Sequence, residues 1–458
     1  MAAGAAWPLA QDVPPCARIR AVQDMTQGHA GWRRPTHSPA PADNPAEHPS
    51  SARLSGKDRT FLFLQGPASP FAFRLAGALR SAGAGVVKVH LCGGDMVFWP
   101  GVAHLYRQRF EDWPAYVTAL LTAGEITDLV LFGDCRPYHA PAVAAAHEQG
   151  IRVHLFEEGY VRPGYVTCEN HGVNAHSDLP RTPQAVLEAA ALLPEPARPE
   201  PVAEPFRMRA QWDIAWHVGL ATFWLAFARY RRHTLAHPAA DYAGWVLHAL
   251  RSPLARRRDR RAYARIREGA PYFLFPLQLP GDFQMRVHSD FASIEQVAQT
   301  VIGSFARAAP AEARLIVKRH PYDVGFIASA RMIARLAAAN GIADRVVFVE
   351  DGDVAPLVAR AEGVVLVNST TAMLALDHRR PLKVLGRATY DMPGLSHQGS
   401  LDSFWTAPEP PEPGLTRAYR RVVVARTQLP GGFFSVEGIE RLVPACVSRM
   451  LAPAEGMQ

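Results

Sequence analysis

Short runs of consecutive apolar residues recur through this chain, with stretches of helical spacing between them, and that alternation leaves few folds open. Thr60–Leu64, Val86–Leu91, Leu129–Phe132 and Arg152–Phe156 make one series. Tyr272–Leu277, Ala313–Lys318, Val346–Glu350, Gly363–Val367 and Leu382–Leu385 make a second. The first, Thr60–Leu64, lacks the in-out alternation of a half-exposed strand, as strands covered on both faces do. Helical patterns near 71–82, 113–123 and 140–149 punctuate the first series, and others near 291–308, 325–340, 354–361 and 371–378 punctuate the second. Strand-helix repetition of this kind predicts parallel sheets built from βαβ units. The expected fold class is therefore α/β, with two Rossmann-like, doubly wound domains facing a cleft.

The proline-rich stretch Pro194–Pro205 is the natural boundary. The expected organisation is a disordered extension over 1–57, a first domain over 58–195, a helical segment over 206–268, a second domain over 269–405 and C-terminal helices over 406–458. Residues 1–57 are rich in Ala, Pro, His and Ser without a sustained apolar period. The net charge of +7 favours an anionic partner without saying which. Five scattered cysteines without CxxC spacing give neither a disulfide framework nor a zinc motif and favour a reducing compartment. Trp212–Phe227, the longest apolar stretch, is interrupted by Asp213, His217 and Gly219 and falls short of the roughly 20 residues that span a bilayer.

In an open α/β sheet the carboxyl ends of the strands line the ligand crevice. Three second-domain strands run there into polar clusters: Gln278 and Asp282; Lys318, Arg319, His320 and Pro321; and Asn368, Ser369, Thr370 and Thr371. Cations, hydroxyls and a helix N-terminus suit a phosphate, although a solvated basic turn and an ordinary N-cap would use some of the same residues. In the first domain, Glu157 and Glu158 precede Gly159 at a strand end, where one carboxylate could act as nucleophile or base. Asp134 and Arg136 follow another strand, and Gln65, Gly66 and Pro67 close the first. Asp351-Gly352-Asp353 reads as a turn and helix cap rather than a metal motif. Basic runs at Arg229–His233 and Arg256–Arg261 lie among tryptophans and phenylalanines, a mixture that suits acidic lipid or, equally, a core helix pair with a solvated face. No nucleic-acid reading motif accompanies them, so no nucleic-acid partner is expected.

With these residues in view the chain resembles the capsule polysaccharide biosynthesis/export family, in its KpsS/LipB type. The resemblance covers nearly all of 60–405 and rests on QGPASPFAFRLAGALR (65–80), GGDMVFWP (93–100), GDCRPYH (133–139), FEEGYVRPGYVTCENHGVN (156–174), FPLQLPGDFQMRVHS (275–289), VKRHPYD (317–323) and NSTTAMLALDHRRPLKVLG (368–386). It departs at Cys168, where a plainer apolar residue is expected, and leaves out residues 1–57. It implies a two-domain, GT-B-like retaining glycosyltransferase that takes β-Kdo from CMP-β-Kdo to a phosphatidylglycerol-type lipid. That first Kdo would start the linker of a capsular polysaccharide at the inner face of the cytoplasmic membrane. The implied enzyme is cytoplasmic and peripheral, with other capsule-synthesis proteins as further partners. Glu158 is then the first choice of nucleophile, with Glu157 or Asp134 as alternative or acid/base partner and His320 at the leaving phosphate. Arg136, Arg162 and the Gln65–Pro67 turn fall on the acceptor side. One phosphate can be held by Arg319, His320, Ser369 and Thr370, so no cofactor and no metal are expected. A UDP-sugar enzyme and a non-catalytic assembly component are the alternatives.

Overall fold

A computed structural model describes residues 55–196, 201–232, 238–267, 269–279, 287–323 and 329–452. Asp282 and nearly all of the N-terminal extension lie outside these residues. Order is already present at Gly56, inside the expected extension. Its amide donates to Ala82 O at 2.7 Å, in a spot where a Cβ would sit 2.8 Å from that of Ala84.

Twelve strands are present among the described residues: β1 (Thr60–Phe63), β2 (Gly85–His90), β3 (His104–Leu105), β4 (Asp128–Phe132), β5 (Arg152–Glu158), β6 (Tyr165–Glu169), β7 (Tyr272–Pro276), β8 (Arg314–Lys318), β9 (Val346–Val349), β10 (Gly363–Leu366), β11 (Leu382–Val384) and β12 (Gln428–Pro430). They form a seven-stranded sheet in the order β12-β6-β5-β4-β1-β2-β3 and a five-stranded sheet in the order β11-β10-β7-β8-β9. The second sheet is parallel throughout, and in the first β6 and β12 pair antiparallel. Counted within each sheet, β3-β2-β1-β4-β5 and β9-β8-β7-β10-β11 follow the same 3-2-1-4-5 order, that of the doubly wound fold. The expected α/β class with two Rossmann-like sheets is what forms.

Burial explains why the apolar runs became strands. Phe61, Leu62, Phe63 and Leu64 are all at most 1% exposed, and β7 and β10 are buried along their whole length. Helices Phe71–Ser81 and Val436–Leu451 cover one face of the first sheet, with Leu75, Leu79, Leu442 and Met450 in their shared core. Leu129, Leu131 and Leu155 face the other side, with Trp113 and Val117 of helix Trp113–Ala123.

Two pieces of chain pack away from their sequence neighbours. Helix Pro183–Ala191, expected within the first domain's span, places Val186 and Ala190 in the second lobe's core beside Tyr419 and Val422. The segment expected to hold only C-terminal helices contains β12, which pairs with β6, and its last helix returns to the first lobe. Gln428-Leu429-Pro430 has no apolar run of its own, so this strand exists only through its partner.

Candidate functional site

In doubly wound sheets the ligand crevice opens where neighbouring strands send their connections to opposite faces. Here that point lies between β1 and β4 in the first lobe and between β7 and β10 in the second. Both are polar. In the second lobe Gln278, just past β7, and Asn368, just past β10, hold each other reciprocally: Gln278 Nε2 donates to Asn368 Oδ1 at 2.8 Å, and Asn368 N donates to Gln278 Oε1 at 3.0 Å. In the first lobe Arg136 Nη1 reaches Gln65 Oε1 at 3.4 Å, joining the loops after β4 and β1. Gly66 and Pro67 form the turn into the next helix, with Gly66 close against Ala72.

The two crevices meet. His288, fully buried in the second lobe's loop after β7, places Nε2 at 3.9 Å from Cys135 Sγ of the first lobe. Its carbonyl accepts from Asn368 Nδ2 at 3.4 Å and from Arg387 N at 2.7 Å. Asp134, next to Cys135, is 7% exposed. Its Oδ1 accepts from the Cys135 thiol at 3.1 Å, and its Oδ2 lies 3.2 Å from His176 Nδ1. The His176 and His288 rings meet edge to face at 4.7 Å. Burial foremost, then the neighbouring His176, lowers the pKa of His288 to about 4, so it is neutral at pH 7.

Glu158 and His320 make a second cross-lobe pairing. Glu158 ends β5, and both of its oxygens are taken: Oε1 by Arg209 Nη2 at 2.7 Å and Oε2 by Arg162 Nη1 at 2.8 Å. Burial works to raise its pKa, but Arg162, Arg209 and the field of His320 overcome that and hold it below the usual carboxylate value. His320 is shifted the other way, to about 4, by burial first, against the field of Glu158. Its Nδ1 accepts from Tyr322 N at 3.1 Å, which leaves the proton of the neutral ring on Nε2. Arg209 also stacks on Tyr322 of the second lobe (4.7 Å) and on Phe434 beside β12 (4.1 Å). Glu157 lies by Gly133, whose absent Cβ would fall 2.9 Å from Glu157 Oε1; burial lowers the pKa of half-buried Arg136, and the Glu157 charge opposes that shift.

Not every expected residue faces the crevice. Lys318 turns its ammonium to Arg319 O (3.1 Å) and Glu350 O (3.3 Å), and Arg319 is buried beside Glu350, with Nη1 to Oε2 at 3.9 Å. Buried cations need such partners, so these two tie β8 to the end of β9 and leave His320 and Pro321 at the crevice. Ser369 Oγ accepts from Thr371 N at 3.2 Å and donates to Thr371 Oγ1 at 3.1 Å, whereas Thr370, at the N-cap, makes no side-chain cap bond. Asp351 and Asp353 accept amides of their own turn, as a capping turn does. Arg209, His176 and His288 were missed in the sequence. His288 stands in a quoted motif, but its loop gives no periodicity by which to place it.

Asp134, Cys135, His176 and His288 each offer one donor atom, and these atoms lie within 4.8 Å of one another, so the set could hold a metal ion. Soft sulfur with imidazole nitrogen and one carboxylate oxygen would suit zinc. His288 Nδ1 has no hydrogen-bond partner.

The family model described as capsule polysaccharide biosynthesis protein matches residues 127–434. The capsule polysaccharide modification protein LipB of Neisseria meningitidis serogroup A is 36% identical over 382 residues, 82% of this chain and 91% of that one. The capsule polysaccharide export protein KpsS of Escherichia coli is 35% identical over 383 residues, 82% of this chain and 96% of that one. Among solved structures, the KpsC β-Kdo 2,7 transferase of Thermosulfurimonas dismutans aligns over 86% of this chain and 100% of its own at 13% identity, with a TM-score of 0.40.

Proposed function

The chain belongs to the family of capsule polysaccharide biosynthesis proteins, and we propose that it serves there as a glycosyltransferase, moving β-Kdo with retention from CMP-β-Kdo to a phosphatidylglycerol-type lipid at the inner membrane surface. One observation carries the reading. The crevices of two doubly wound lobes face each other, with acids on the first and neutral histidines on the second, and Cys135 Sγ stands 3.9 Å from His288 Nε2 where they meet. The nucleotide belongs in the second crevice, with its phosphate between His320 Nε2–H and the hydroxyls of Ser369, Thr370 and Thr371, and its polar edges against Gln278 and Asn368.

Retention comes from front-face attack or from two inversions, and two inversions need a protein nucleophile. Glu158 is a poor one here, because two guanidinium groups occupy its oxygens and lower its basicity. We assign the nucleophile to Asp134, whose partners are a thiol, the Val173 amide at 3.5 Å and a half-exposed imidazole, with no guanidinium on either oxygen. Its carboxylate attacks the anomeric carbon while CMP departs with the bonding pair, its phosphate charge met by His320. Glu157 accepts the acceptor hydroxyl's proton as that oxygen displaces Asp134. Glu158 then fixes Arg162 and Arg209 at the lobe junction, and catalysis needs no metal.

The test is incubation of purified protein with CMP-Kdo, generated in situ, and a fluorescent phosphatidylglycerol analogue, read by mass. Addition of one Kdo is expected, CMP should compete better than UDP, and Asp134→Asn should lower transfer by a factor of about 10³ or more with CMP affinity unchanged. Wild-type transfer by Asp134→Asn would remove this residue from the chemistry, and no mass shift with any CMP-sugar would remove the reading.

A further inference from the structure

Helix Phe206–Thr222 has two apolar faces, and the fold uses only one of them. Gly219 and Leu220 turn inward, and Trp216 lies against Gly94 so closely that a Cβ there would sit 2.4 Å from the indole Nε1. One turn away on the opposite side, Ile214 and Val218 are 49% and 58% exposed. The turn that follows puts Phe223, Trp224 and Leu225 into solvent as well, with Trp224 60% and Leu225 74% exposed. Helix Pro238–Arg267 packs alongside through Tyr242, whose hydroxyl donates to Asp213 Oδ2 at 3.1 Å, and through Trp245 on Phe206. Its residues Val246, Leu250 and Leu254, four apart, are 61%, 73% and 52% exposed. A polar protein surface seldom leaves so many large apolar side chains together.

The chemistry beside this face is cationic. An open hollow of about 560 Å³ is lined by Arg109, Phe110, Glu111, Arg229, Tyr230 and Arg231, three arginines against one glutamate. Arg231 stacks on the Phe110 ring at 4.8 Å. The hollow also connects inward: Tyr230 OH lies 3.4 Å from Gln65 Nε2, and Gln65 holds Arg136 at the first lobe's crevice.

We infer that this face is a membrane-docking surface. Trp224, Leu225 and the exposed residues of both helices enter the acyl boundary of an anionic bilayer, and the arginine-lined hollow receives a phospholipid phosphate. Apolar side chains at the boundary with arginines at headgroup level are what such binding uses. Charge complementarity selects the occupant, since a second copy of this basic chain would bring like charge to the hollow. The inference deepens the proposed lipid acceptor and rests on that reading only for the hollow's purpose: a lipid bound there reaches the crevice through Tyr230, Gln65 and Arg136.

Vesicle co-sedimentation of the full chain provides the test, using vesicles of 30% phosphatidylglycerol in phosphatidylcholine against pure phosphatidylcholine. Binding to the anionic vesicles is expected, weakened by high salt. An arginine near an anionic surface contributes about 1 kcal/mol, so Arg229→Gln with Arg231→Gln should lower affinity about 30-fold. Trp224→Ser with Leu225→Ser should lower it at least tenfold at every salt concentration. The Trp224→Ser, Leu225→Ser variant should transfer sugar to a water-soluble short-chain phosphatidylglycerol at the wild-type rate. Unchanged vesicle binding by both variants overturns the inference, as does a wild-type dimer that Trp224→Ser with Leu225→Ser turns into a monomer. Vesicle binding without transfer to any acceptor leaves the docking surface standing and overturns the enzymatic reading instead.

Discussion

Replacing Arg209 with leucine isolates the cation that joins the two lobes at Glu158. The side chain donates to Glu158 Oε1 at 2.7 Å and lies over Tyr322 and Phe434 at 4.7 and 4.1 Å. A hydrogen bond to a charged group contributes about 1.5–3 kcal/mol, and each ring contact about 0.5–1 kcal/mol. Leucine keeps some of the packing, so the expected destabilisation at pH 7 is about 3 kcal/mol, read from urea midpoints. Glu158's folded pKa lies below its unfolded value, so its contribution is present above the unfolded value and is lost as pH falls through the folded one. The gap between wild type and variant should therefore narrow at acid pH. In a double-mutant cycle with Glu158→Gln, the coupling should reach at least about 1.5 kcal/mol. A coupling under about 0.5 kcal/mol, or a gap that ignores pH, would refute the clamp and leave Arg209 as a packing residue.

Buried neutral histidines should set the acid limit of stability. Burial, before any neighbouring charge, brings His139 to about 3 and His90 and His288 to about 4, so the unfolded chain binds more protons between these values and about 6.5. Stability should fall as pH drops through that window, by roughly 3 kcal/mol for His90 or His288 and roughly 5 kcal/mol for His139, and His139→Gln should flatten the melting temperature's dependence on pH. Gly94→Ala drives a Cβ to 2.4 Å from Trp216 Nε1 and should cost about 1–3 kcal/mol by thermal melting. Dialysis against EDTA should leave the transfer rate unchanged, whereas a loss restored by zinc would make Asp134, Cys135, His176 and His288 metal ligands.

The sheets were legible because β1, β4, β7, β8 and β10 each carry a run of at least three consecutive apolar residues, and a run that must be covered on both faces admits few structures. The polar residues that follow them were placed at the crevice for the same reason. Orientation was harder to read. Lys318-Arg319-His320-Pro321 looks like one basic cluster, yet buried cations need partners, and the first two turned to Glu350 just past the neighbouring strand. Arg209 was out of reach because its partner Glu158 lies 51 residues earlier, and nothing local to the helix signals that pairing. Short β12 depends wholly on β6 across the chain.

That last pairing also sets the order of events during synthesis. The five strands of the second sheet leave the ribosome before β12 and helix Val436–Leu451, which seal the edge and one face of the first. The lobe translated first thus matures last, and until its final strand emerges it carries an open β6 edge that a nascent chain must shield from its neighbours.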